Sequence, residues 1–386
     1  MFQPTLSIAF TISAGLAVSV IHTAASSLDA TPWSIVQGET AAAVAVAEAA
    51  ATDWQLQTVI PSDRAPVSFD HSGQRLLTVS PDMLRVWDTQ AGEAIAEIVT
   101  DGDTRVLDAA LSPDGIRVAA IVKMTATGAL QLQLWNAETG AIVHQPLGTP
   151  RHPGPATHSG ESPLNQLTFA PDGDVLTQVG LAFDAEGNPV EVSLRHHDGT
   201  TAAVTHSLAT PPDAAARQFA FSPDGPWLAG VSVIRTGQVS AVRQVVDVWQ
   251  WTDGTHQRRL EPLEDSRWSL VDMVFNPAGH LQVLSQWLYD VQLDTWNVTS
   301  GERLEHLTHI PDIDRQDRFG RLSPDGSYYF VRSDVAGTRL INLDTQTVQD
   351  LPVYAETAVF DPQGKVLAIA TQADIRIYTF ERSIHF

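Results

Sequence analysis

A five-residue turn signature recurs seven times along the chain. An apolar residue is followed by a short polar run that ends in glycine. The copies are Phe69-Asp70-His71-Ser72-Gly73, Leu111-Ser112-Pro113-Asp114-Gly115, Phe169-Ala170-Pro171-Asp172-Gly173 and Phe221-Ser222-Pro223-Asp224-Gly225. Phe275-Asn276-Pro277-Ala278-Gly279, Leu322-Ser323-Pro324-Asp325-Gly326 and Phe360-Asp361-Pro362-Gln363-Gly364 complete the series. Proline presets the backbone angle of a tight turn, Asp or Asn bonds the local backbone, and glycine accepts the positive φ that closes a hairpin. Successive turn glycines lie 38 to 58 residues apart. That interval holds four short strands and their loops, the unit of a propeller blade.

The strands between the turns can be read directly. Leu76-Leu77-Thr78-Val79, Val118-Ala119-Ala120-Ile121-Val122 and Val366-Leu367-Ala368-Ile369-Ala370 are apolar runs of the kind that become buried strands. An alternating strand with an aromatic near its end follows, as in Leu84-Arg85-Val86-Trp87-Asp88, Leu132-Gln133-Leu134-Trp135-Asn136 and Asp294-Thr295-Trp296-Asn297. A second turn then closes on Gly92, Gly140 or Gly301, and the fourth strand is more polar, as suits an outer edge. Over residues 54–386 this pattern resembles the WD-repeat (WD40-like) family of β-propellers. The resemblance rests on the Ser-Pro-Asp-Gly turns and on Leu/Val-Trp-Asp/Asn followed by a Thr-Gly-like turn. It implies an all-β, seven-bladed propeller of four-stranded antiparallel blades. The family's Gly-His dipeptide before each blade is missing, and Leu194, Ile341 and Tyr378 are read at the third-strand tryptophan position of three blades. These departures remove the family's His–Ser/Thr–Trp–Asp network and leave the blades to apolar packing.

The ring has to close. The last unit supplies three strands, while an orphan alternating segment, Trp54-Gln55-Leu56-Gln57-Thr58-Val59-Ile60, precedes the first unit. Pairing it as the outer strand of the last blade removes an exposed edge. The other reading closes that blade with Ser383-Ile384-His385-Phe386.

The chain of 386 residues carries 45 acidic and 23 basic side chains, a formal net charge of −22. This balance opposes nonspecific binding to nucleic acid or to an anionic membrane surface, both of which require cations. Cysteine is absent, which excludes disulfides, thiolate catalysis and cysteine-ligated metals. Residues 1–25 read as a signal peptide: Leu6 to Ile21 is apolar but short for a span, and Thr23 and Ala25 are small residues at the positions a signal peptidase reads. The first basic side chain is Arg64, so only the terminal amine supplies the positive start such a segment needs. An exported protein is the reading adopted, with a cytoplasmic one as the alternative. Residues 26–53 read as an Ala-rich flexible linker.

Function on a rigid scaffold tends to sit on loops. The segments leading into the first strand of each unit carry Arg64, Arg105, Arg217 and Arg318, with Arg151 and Arg267 further back in longer segments. A ring of guanidinium groups at one channel mouth suits carboxylate or phosphate groups on a partner. Acids such as Asp63, Asp103, Asp108 and Asp317 stand beside them, so local ion pairing is the competing reading. Trp268 is the aromatic candidate for a partner hot spot, with packing under a long loop as its alternative. Trp287 is placed on the same face, whereas Trp87, Trp135 and Trp296 are read as core.

The acidic run Asp312 to Asp317 lacks the glycine and terminal glutamate of a calcium loop. His196 and His197 are strand neighbours on opposite faces, and His152 and His158 have no third ligand, so no metal or other cofactor is assigned. No nucleophile elbow, Walker-type loop or dinucleotide fingerprint is present. The sequence therefore reads as a noncatalytic scaffold for a protein or peptide partner bearing acidic groups. Its partner-binding candidates are Arg64, Arg105, Arg217, Arg267, Trp268 and Arg318. A propeller hydrolase or lyase with its site at the channel mouth is the alternative.

Overall fold

The computed structural model describes residues 10–11, 17–18, 54–62, 65–100, 102–128, 130–144, 166–183, 189–208, 214–235, 242–262, 268–287, 290–308, 310, 317–333 and 337–380. Met1–Ala51 and Thr52–Phe386 are separate units. In the first, β1 (Phe10–Thr11) pairs antiparallel with β2 (Ala17–Val18). Among its described residues the second unit has strands and turns and no helix, beginning with β3 (Trp54–Ile60).

The remaining strands follow in groups of four, one group to each turn repeat. The first sheet holds β4 (Ala65–Phe69), β5 (Arg75–Ser80), β6 (Met83–Asp88) and β7 (Ala94–Val99). The second holds β8 (Thr104–Leu111), β9 (Arg117–Met124), β10 (Leu130–Asn136) and β11 (Ile142–His144). The third holds β12 (Gln166–Phe169), β13 (Val175–Phe183), β14 (Pro189–His197) and β15 (Val204–Leu208). The fourth holds β16 (Ala214–Phe221), β17 (Trp227–Arg235), β18 (Val242–Gln250) and β19 (Thr255–Leu260). The fifth holds β20 (Ser269–Phe275), β21 (Leu281–Trp287), β22 (Asp290–Asn297) and β23 (Glu302–Leu307). The sixth holds β24 (Asp317–Leu322), β25 (Tyr328–Ser333), β26 (Gly337–Asn342) and β27 (Val348–Leu351). The last takes β28 (Thr357–Phe360), β29 (Val366–Ala370) and β30 (Ile375–Phe380) and completes itself with β3.

Each sheet is antiparallel and meandering, and the first strand of each lies beside the first strand of the next, with β28 returning to β4. This is a β-propeller, with first strands innermost and fourth strands on the rim. The core is distributed between sheets: Leu77, Val86 and Ile98 of the first pack with Val106, Val118 and Val122 of the second. Val246, Val248 and Leu260 of the fourth pack likewise with Met273, Phe275 and Val283 of the fifth.

Local chemistry explains why the turns recur. In the first turn, Ser112 Oγ accepts the N–H of Arg117 and Asp114 Oδ1 accepts that of Ile116, at 2.9 and 3.0 Å. Ser323 with Tyr328 and Asp325 with Ser327 repeat this pattern in the sixth sheet. In the second turn one Asp or Asn accepts two successive N–H groups, Asp88 from Gln90 and Ala91 and Asn136 from Glu138 and Thr139. The position that closes this turn has positive φ, as at Gly92 and Gly140, and is filled by Ala202 and Gln346 in the third and sixth sheets.

The third-strand tryptophan position needs correction in one sheet. His197, and not Leu194, faces Val175 across the ladder as Trp87 faces Leu76. The second turn fixes the position: Asp198, which accepts the N–H groups of Thr200 and Thr201, follows His197 directly, as Asp88 follows Trp87. The hydrogen-bond network read as missing is partly present. Trp87 Nε1 donates to Thr78 Oγ1 at 3.0 Å, while Trp54 Nε1 and Trp296 Nε1 have no partner among the described residues. The long hairpins of the third and fourth sheets are extended ladders, paired out to Phe183–Pro189 and Arg235–Val242.

The turn glycines also set the spacing between sheets. A Cβ at Gly115 would lie 2.9 Å from Arg75 Cδ and 3.3 Å from Asp70 Cβ of the preceding sheet. A Cβ at Gly73 would lie 3.3 Å from Asp361 Cβ, so the last-to-first junction repeats the first-to-second one. Gly279 has the same left-handed conformation with nothing within 4 Å of such a Cβ. Gly279→Ala is expected to lose about 1–2 kcal/mol from backbone strain alone. Gly115→Ala adds a steric conflict and should unfold at a distinctly lower temperature in calorimetry. Equal losses would show that the sheet junction does not depend on this approach.

Candidate functional site

The segments read as loops leading into the first strands are partly strand. Arg105 lies in β8, Arg217 in β16 and Arg318 in β24, because these strands begin earlier than the turn spacing implied. Arg64 and Arg267 lie outside the described residues, as do Arg151 and the acidic run 312–316; for Arg217 and Arg318 the backbone alone is described. Arg105 is exposed and stands directly across the ladder from exposed Lys123.

The inner strands share an irregularity at this level. Their pairing shifts by one residue between Pro66 and Ser68, Val106 and Asp108, Arg217 and Phe219, Leu270 and Asp272, and Asp317 and Phe319. The extra residues are therefore Val67, Leu107, Gln218, Val271 and Arg318. Bulges bend a strand and re-aim its side chains. Arg217 flanks a bulge, Arg318 is the extra residue of another, and Arg105 precedes a third.

The bulges have a second consequence that the sequence did not signal. At three of these five bulges the residue that follows reaches the next sheet and accepts a main-chain N–H there. Ser68 Oγ takes that of Leu111 at 2.8 Å, Asp108 Oδ2 that of Leu167 at 2.7 Å, and Asp272 Oδ2 that of Leu322 at 2.8 Å. An inner strand has no neighbour on its channel side, so these side chains satisfy donors that would otherwise lack a partner. Asp108, read from the sequence as an ionic neighbour of Arg105, is instead a tie between sheets. Asp272 also accepts from Gln218 Nε2 at 2.7 Å and pairs with Arg321 at 3.6 Å.

Burial raises the Asp108 carboxyl to about 6, against two main-chain hydrogen bonds that lower it. Burial raises Asp272 as well, opposed by Arg321. A carboxyl whose folded pKa lies above its unfolded value binds more protons when folded, so stability falls as pH rises through that interval. For Asp108 the interval runs from 3.8 to about 6. Asp108→Asn keeps an oxygen acceptor for Leu167 and cannot ionise. It should flatten the loss of stability from pH 4 to 6 in urea titrations, and an unchanged slope would remove Asp108 from this role.

Trp268 is half-buried and packs against the core shared by the fourth and fifth sheets, with its ring 6.4 Å from that of Trp287. Trp268 and Trp287 flank the registered pair Ser269–Gln286, at one end of the β20–β21 hairpin.

Two buried carboxylates lie nearer the rim. Asp247 on β18 and Asp294 on β22 each precede a tryptophan by two residues, and each faces β19 or β23 of its own sheet. Arg259, directly opposite Asp247, serves both its oxygens, with Nε 2.9 Å from Oδ1 and Nη2 3.3 Å from Oδ2; His256 adds a contact at 2.9 Å. In the fifth sheet the two types exchange places. His306 stands opposite Asp294 with Nδ1 2.6 Å from Oδ1, Arg303 reaches the same oxygen at 3.5 Å, and Oδ2 has no partner among the described residues. An unsatisfied carboxylate oxygen in the interior is costly, and burial raises the pKa of Asp294 despite His306 and Arg303. His306→Arg, which copies the fourth sheet, should supply the missing donor and stabilise by about 1–2 kcal/mol. A lower melting temperature would show that Oδ2 is not the deficit.

Among the described residues no group of three or more His, Asp or Glu side chains is placed to hold a metal. His196 and His197 diverge: His197 Nδ1 contacts the carbonyl of Ala202, while His196 stacks on His206 with ring centres 4.6 Å apart. No helix among the described residues is long and apolar enough to cross a membrane.

In comparisons with known proteins, no family model matches the chain and no curated protein shows significant similarity to it.

Proposed function

We propose that this protein is a noncatalytic binding platform, a WD-repeat-like propeller of seven blades that holds a protein or peptide partner bearing acidic groups. The observation that carries the reading is the position of Arg105, Arg217 and Arg318. All three lie on inner strands of alternate sheets, at or just before the bulges. Inner strands are tied to their neighbours on both sides, so groups mounted there are held with little freedom. Rigid presentation lowers the ordering cost of binding. Arginine suits such a surface because its planar fork grips a carboxylate through two hydrogen bonds. The chain's net charge of −22 opposes a polyanion and leaves a local anion contact feasible. An exported location, read from residues 1–25, belongs to the same proposal.

Affinity capture with the tagged full chain, beside an Arg64/Arg105/Arg217/Arg318→Ala variant of equal thermal stability, tests the proposal. A protein retained by the first and lost by the second, as mass spectrometry would identify it, is the expected result. Retention indifferent to the four changes would overturn the arginine-bearing face.

A further inference from the structure

The rim is divided into two unlike sectors. Around the ring, the last, first, second and third sheets are consecutive, and their outer strands are β3, β7, β11 and β15. Glu97 is the one Asp, Glu, Lys or Arg residue in these four strands, and Arg85 of its own sheet engages it. The other three outer strands are charged: Arg258 and Arg259 on β19, Glu302, Arg303 and Glu305 on β23, and Asp350 on β27. Exposed apolar side chains follow the same division. Leu56 and Val59 on β3, Val99 on β7, Ile142 and Val143 on β11 and Val204 on β15 are each about half exposed or more, Val99 reaching 69%. On the charged sector the corresponding large side chain is Leu304 alone.

Single exposed apolar residues need no explanation, but their concentration on free strand edges does. An edge strand presents unpaired N–H and C=O groups, and proteins usually blunt such edges with charge. β19 and β23 are blunted in this way, whereas β3, β11 and β15 carry no charge and β7 carries only Glu97, which Arg85 engages. We propose that the uncharged sector is a self-association surface, and that its occupant is a second copy of this chain.

Charge singles out that occupant. Complementary charge steers a foreign partner and sets its register, and this sector has almost none to offer one. A second copy carries the same −22 and meets repulsion wherever both surfaces are acidic. Two copies can approach only where charge has been removed. A two-fold contact sets like edges together, and antiparallel pairing of outer strands would satisfy the free backbone groups while covering the apolar side chains.

Sedimentation velocity on the intact protein tests this. The expected species has about twice the 41.8 kDa chain mass. Its association should tighten as salt rises from roughly 50 to 500 mM, because screening weakens repulsion between the copies. An interface built on ion pairs would respond in the opposite sense. Val99→Glu and Ile142→Glu should each weaken association about tenfold or more, the effect of about 1.4 kcal/mol. Leu304→Glu, on charged β23, should leave it unchanged. Thermal melts verify that the variants fold; if one does not, the salt response of the unaltered chain carries the test. A monomer at every concentration, a dimer weakened by salt, or one that survives both rim changes would overturn the proposal.

Discussion

The architecture depends on one pairing between residues from opposite ends of the described ring. β3 lies against β30, with Trp54 opposite Phe380 and Ile60 opposite Ile375. Trp54 is buried, and its ring meets Tyr328, Phe360 and Phe380 at centroid separations of 5.6, 5.8 and 5.7 Å. Gln349 of the sixth sheet donates to the main-chain oxygen of Trp54 at 3.0 Å. The first strand of the ring is thus held by the last two sheets. Without it β30 would be a free edge, and the aromatic cluster would lose its central member.

Once closed, the ring repeats one junction with variations. Apolar side chains fill the space between sheets, turn glycines allow close approach on one side, and side chains after the bulges tie inner strands together. Polar ties are economical where they serve backbone donors without another partner, as Asp108 and Asp272 do. They are less complete where a carboxylate has been buried for its own partners. Asp247, gripped by Arg259, is satisfied, and Asp294, facing His306, is not. The difference follows from donor geometry: a guanidinium reaches both oxygens, whereas one imidazole nitrogen reaches one.

This division of labour separates the places where function could reside. Inner-strand positions are fixed from both sides and suit recognition that needs rigidity. The rim strands pair with a neighbouring strand of their own sheet on one side. The acidic turns at the opposite end of the sheets are engaged locally, Asp70, Asp114 and Asp325 each bonding their own turns. Their carboxylates are therefore already committed to the fold.

Sequence alone determined the repeat and the strand-rich class, and it narrowed the closing strand to two candidates, between which the pairing of β3 with β30 decided. These follow from chemistry acting within a few residues: proline, Asp or Asn, and glycine set a turn, and alternation sets a strand. Tertiary structure decided where particular side chains point. The ladder sets His197, and not Leu194, opposite Val175 at the tryptophan position, three residues from where the sequence read it. Arginines read as loop residues lie on strands, because the inner strands begin earlier than the turn spacing implied. Nor could the sequence show that Asp108 would serve Leu167, since that contact spans two sheets. Facing and partnership depend on ladder register and on the neighbouring sheet, and neither is encoded in the spacing of a single repeat.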